Sequence, residues 1–109
     1  MKYEVEVPLW VYDQITEIAA YISGELSAPQ AAQDVLNDLE AAIMSLDMYP
    51  ERIPFSRDKF LKSCGLRCMV VRKYLIYFQI DEAARRVILH AVIYGKRDQA
   101  AQAKGIPWE

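Results

Sequence analysis

With 109 residues, 53% of them apolar, a formal net charge of −2 and a pI of about 5.4, the chain is large enough for one hydrophobic core and too small for two. No stretch approaches the roughly 20 uncharged apolar residues needed to cross a bilayer, and the opening MKYEVEVP lacks the apolar run of a signal peptide, so one cytoplasmic domain over residues 1–109 is expected. A single histidine and two cysteines supply too few ligands for a zinc site, and Cys64 and Cys68 lie about 13 Å apart if the chain between them is extended, beyond disulfide reach.

Tyr3, Val5 and Val7 alternate with Lys2, Glu4 and Glu6, the period of a short half-buried strand. Pro8 suits a helix start, because the N–H it lacks would be an orphan there. Val11, Ile15, Ile18, Ala19 and Ile22 then follow helical spacing, with Gly24 as the stop. Ser27-Ala-Pro-Gln30 has the form of a capping box, and Ala32, Val35, Leu36, Leu39, Ala42, Ile43 and Leu46 trace the apolar stripe of a second helix that ends at Tyr49-Pro50. Two amphipathic helices joined by a few residues form an antiparallel hairpin that needs a sheet to cover its stripe.

Residues 51–64 read as a basic loop leading into the sheet, with room for a short strand over Lys59–Lys62. Leu66–Val71, Tyr74–Ile80 and Arg86–Tyr94 are rich in β-branched and aromatic residues. Their joints, Arg72-Lys73 and residues 81–85, are short enough to impose neighbouring antiparallel pairing. The fold class expected is therefore α+β in the order β-α-α-β-β-β, a helical hairpin packed on a small antiparallel sheet.

The small net charge hides a sorted distribution. Residues 1–51 hold one cation against ten acids, a net of −9, whereas residues 52–104 hold twelve cations against four acids, a net of +8. Such asymmetry predicts a basic sheet side and an acidic helical side, with an anionic partner for the former.

The order of elements, a second helix ending in Leu46-x-x-Tyr49-Pro50, then Gly65-Leu66-Arg67, a Tyr74-x-Ile76-x-Phe78 strand running into Ile80-Asp81-Glu82, and a last strand closing in Gly95-Lys96-Arg97-Asp98 together resemble the RelE/ParE toxin superfamily. The resemblance implies a toxin of a type II toxin–antitoxin pair, partnered by a cognate antitoxin; no cofactor, metal or membrane partner is expected. It also implies two possible targets. RelE-like members cleave mRNA on the ribosome, and ParE-like members act on DNA gyrase.

Carried onto this sequence, the RelE-like pattern places Arg67 and Arg97 in a catalytic groove and lysines ahead of the Gly-x-Arg strand, in the region of Lys59 and Lys62; Lys96, next to Gly95, is a further candidate binding cation. The aromatic residue that closes some RelE-like sites falls at Ala103 here. RNA cleavage also needs a base, which a guanidinium cannot supply, leaving His90, Tyr94 or a lysine. On a regular strand His90 and Tyr94 share a face about 13 Å apart, too far to touch one scissile bond. These departures favour the gyrase target over the mRNA endonuclease, and a non-toxic antitoxin-binding or autoregulatory relative is the third reading. The tail Gly105–Glu109, with Trp108, has no role assigned by the resemblance.

Overall fold

The helical hairpin and the strands assemble as their patterns dictate in the computed structural model, which describes residues 2–95. Strand β1 (Glu4–Glu6) is followed by α1 (Leu9–Ala20), α2 (Pro29–Met44), a five-residue α3 (Lys59–Ser63), β2 (Arg67–Val71), β3 (Tyr74–Asp81) and β4 (Arg86–Tyr94). The four strands form one sheet in the order β1-β4-β3-β2. The three later strands pair antiparallel as expected, but β1 joins β4 in parallel, Glu4 opposite Arg86 and Glu6 opposite Ile88, so the sheet is mixed. Among the described residues no helix is long and apolar enough to cross a membrane.

Helix α1 begins after Pro8, whose carbonyl accepts from the Val11 and Tyr12 N–H groups. It does not stop at Gly24. The chain continues through a π turn over Tyr21–Glu25, and the change of backbone hand falls on Ser27 (φ 50°). Ser27 lies one residue before the cap position of α2 and does not cap it. Ala28 occupies the cap position without a side-chain bond, Pro29 supplies the preset φ of the first turn, and Gln30 Nε2 donates forward to Asp34 Oδ1. Beyond α2 the chain is held by Arg52, whose Nη1 donates to Met48 O (2.8 Å) and Tyr49 O (3.1 Å). This holds the left-handed Tyr49 (φ 50°) in place.

Residues 59–62 form a helical turn rather than a strand, because Asp58 Oδ1 accepts from Leu61 N and so nucleates α3.

Val11, Leu39, Leu46, Ile76, Phe78, Val87, Leu89 and Val92 are wholly buried between the hairpin and one face of the sheet. Each such side chain contributes about 1.5–3 kcal/mol of burial free energy. The opposite face is covered by α3, where Leu61 and Leu66 pack on Tyr77 and Ala91.

Serving two cores requires a change of phase in β4. Phe78 pairs with Leu89 and Tyr77 with Ala91, so His90 is the extra residue of a β-bulge. Before it, Val87 and Leu89 face the hairpin; after it, Val92 does.

Beyond Glu6, β1 no longer covers the outer edge of β4, and α1 takes over. Trp10 Nε1 donates to His90 O (2.9 Å), and Gln14 Oε1 accepts from Val92 N (2.9 Å). Two side chains one helical turn apart thus replace a strand's hydrogen bonds.

Candidate functional site

Arg67 opens β2 and leans toward the loop before it rather than toward solvent. Its Nη1 donates to Ile53 O (2.6 Å) and Glu51 O (3.3 Å), and its guanidinium lies 4.1 Å from the centroid of the Phe55 ring. A planar fork that binds two carbonyls and stacks on an arene is matched only by arginine. Among the described residues it pairs with no carboxylate.

Next to it lies a cluster that the sequence did not announce. Tyr3, buried at the start of the chain, has its hydroxyl 2.6 Å from Glu51 Oε2 and 2.7 Å from Glu82 Oε1. Arg85 Nη1 donates to the same hydroxyl (3.2 Å). The hydrogen bonds to Glu51 and Glu82 push the phenol up to about 12. The Glu51 carboxyl is held below its usual range, first by the Tyr3 hydrogen bond and further by the nearby Arg67 and Arg85 charges. Tyr3 therefore ties β1 to the loop that Arg67 clamps and to the β3–β4 turn.

The antiparallel order puts Arg67 and the close of β4 at opposite ends of the sheet. Arg67 stands opposite Phe78 and through it Leu89, whereas Tyr94 stands opposite Tyr74 and through it Val71. The separation is about 13 Å along the strands and about 10 Å across them. Arg97 and Lys96 lie outside the described residues.

His90 and Tyr94 do not share a face, because the bulge at His90 resets the alternation. Tyr94 meets Tyr74, ring centroids 5.6 Å apart and tilted by 57°. His90 instead meets Gln79 through Nε2···Oε1 (2.9 Å), while Gln79 Nε2 donates to Cys64 O. Since the Gln79 amide nitrogen is committed to that carbonyl, its oxygen faces the imidazole and His90 Nε2 carries the proton. Burial pushes the His90 pKa down, so the ring is neutral near pH 7. Gln79, polar within an otherwise apolar strand, was the readable signal of this contact.

Lys59 and Lys62 do come together. Buried Leu61 pins α3 to the sheet, so Lys59, Phe60 and Lys62 point outward, and Arg57 and Phe55 extend the surface. Phe60 is 57% exposed and Phe55 43%. Interleaved cations and flat rings suit an anionic or base-bearing ligand. Many other cations are consumed internally. Arg72 Nε meets Asp38 (2.6 Å) and Arg86 Nη1 meets Glu6 (2.7 Å), joining the basic half to the acidic one.

Cys64 and Cys68 are both unpaired; burial raises the Cys68 thiol pKa, opposed by a hydrogen bond to Tyr77. Among the described residues no three metal-ligating side chains gather.

The sequence matches the family described as ParE toxin of type II toxin-antitoxin system, parDE, over residues 12–99. No curated protein sequence matches it. In structure the chain is similar to one from a chromosomal ParDE toxin–antitoxin system of P. aeruginosa, with a TM-score of 0.70 and 10% identity over 85% of this chain and 96% of that one. It is similar to a chain of the toxin–antitoxin complex RelBE2 from Mycobacterium tuberculosis, with a TM-score of 0.59 and 17% identity over 86% and 99%. It is also similar to a free mutant of the E. coli toxin RelE, with a TM-score of 0.60 and 10% identity over 94% and 93%. At such identities the structural likeness is one of fold.

Proposed function

Because the chain belongs to the ParE toxin family of type II toxin–antitoxin systems, we propose that it is the growth-inhibiting member of such a pair, neutralised by a cognate antitoxin and acting on DNA gyrase by surface recognition. One observation supports the choice of target: among the described residues, Arg67, His90 and Tyr94 do not converge on one place. Arg67 is committed to the 51–53 carbonyls and Phe55. His90 is bonded to Gln79 on the α3 face, and Tyr94 packs on Tyr74 at the far end of the sheet. An acid, a base and a phosphate clamp must all reach one bond for cleavage through the 2′-hydroxyl. Recognition of a protein target has no such requirement.

The antitoxin contribution to this reading is a segment rich in acids laid on the cations that remain exposed, chiefly Arg57, Lys59 and Lys62. The same α3 surface favours a second reading, a RelE-like ribosome-dependent mRNA endonuclease, since exposed Phe60 and its flanking cations also suit RNA.

Induced expression tests both. Growth arrest that a co-expressed antitoxin relieves is expected, with loss of gyrase supercoiling activity in vitro and no codon-linked mRNA ends during the arrest. Codon-linked ends with normal supercoiling would replace the gyrase reading by the second, and unimpaired growth would remove the toxin assignment. Lys59→Ala combined with Lys62→Ala should weaken antitoxin binding, measured by titration calorimetry, with the fold retained.

A further inference from the structure

The hairpin ends in a strained corner. Helix α2 carries on through a 3₁₀ turn over Ser45–Asp47, and Tyr49 then takes a left-handed backbone (φ 50°) that glycine or asparagine adopts readily and a bulky residue does not. One guanidinium holds it there. Arg52 donates to the carbonyls of Ser45 (3.4 Å), Met48 (2.8 Å) and Tyr49 (3.1 Å) and to the Ser45 hydroxyl (2.9 Å). Around that one group the chain turns large apolar side chains outward: Tyr49 is 67% exposed, Met44 65% and Met48 42%. A ring so exposed adds little packing, so the core does not account for a tyrosine here. Backbone strain kept for an outward-facing ring points to use of that surface.

We propose that Met44, Met48 and Tyr49 form a docking surface for a cationic segment of a partner protein, with Tyr49 as the anchor. Tyrosine supplies a large contact area with few rotors to freeze, and methionine moulds to what lies against it. The sign of the partner follows from the charges. Residues 3–51 carry ten acids and no lysine or arginine. Glu40, one turn before Met44 on α2, is exposed and has no ion pair among the described residues. Asp47 and Glu51 flank Met48 and Tyr49 in the chain. The cations bonded to this corner are already engaged, Lys2 with Asp47 (3.9 Å) and Arg52 with the carbonyls. An acid-rich antitoxin segment is repelled here and drawn to the α3 cations, so this surface takes a different partner.

Methyl NMR of the full chain, with a helical peptide of leucine and lysine as the probe, tests the proposal. The Met44 and Met48 methyl signals should shift on titration while that of buried Met69 stays still. Tyr49→Asn should weaken the peptide several-fold with the melting temperature equal to or above the parent's, because asparagine tolerates the left-handed backbone. Glu40→Lys should weaken it as well. Unmoved methyl signals, an unchanged affinity in Tyr49→Asn, or a lower melting temperature in that variant would overturn the proposal. Equal shifts from a peptide of leucine and glutamate would do the same. Shifts that appear with protein concentration alone would give the surface to a second copy and overturn it too.

Discussion

The two ends of the sheet are built to opposite plans. At the Arg67 end, polar groups close on one another: a guanidinium on two carbonyls and an arene, and a tyrosine hydroxyl among two carboxylates and a second arginine. At the Tyr94 end, two tyrosines and Lys73 face an open groove. The contrast shows that cations in this fold divide between those that hold the chain and those left for a partner, and net charge alone does not separate them.

Stability measurements should expose the asymmetry. The largest effect is expected at Phe78, fully buried opposite Arg67: Phe78→Ala should cost about 3–5 kcal/mol in urea unfolding. A comparable loss from Tyr94→Ala would erase the distinction between the ends. Arg67→Ala comes next, at about 1–3 kcal/mol, because two backbone carbonyls lose their donor. Arg67→Lys should recover only part, since an ammonium neither forks nor stacks as well.

The pH dependence is smaller and runs in two directions. His90 titrates near 6.5 when unfolded and lower when folded, so the unfolded state takes up its proton first. Stability should fall as pH drops below about 6.5, and His90→Gln should flatten that limb of a Tm-versus-pH curve. Tyr3 is shifted the other way. Its contribution is intact below the ordinary value of 10.0 and is lost as pH rises toward about 12, a decline that Tyr3→Phe should abolish. Smallest of all, Lys73→Ala should stay within about 0.5 kcal/mol of the parent, the mark of an exposed side chain.

The order β-α-α-β-β-β and both helical stripes could be read from the chain because each element carries its own period. What escaped depends on partners distant in sequence. Residues 87–94 are apolar at both parities since both faces of β4 are covered, so nothing in the pattern marks His90 as the bulged residue. The three residues of β1 give no hint that they run parallel to β4. Helix α3 is too short for periodicity, although Asp58 before Lys59-Phe60-Leu61 was a legible cap. The bonds from Arg67 to the Glu51 and Ile53 carbonyls could not be read because carbonyls leave no trace in a sequence, and the residues that surround Tyr3 come from positions 51, 82 and 85.

The substitution of Trp10 and Gln14 for a neighbouring strand has a consequence for the protein's life before it meets any ligand. A bare β edge is a template on which copies stack into aggregates. With His90 O and Val92 N already taken by helical side chains, that stretch of the sheet offers no register for a newcomer.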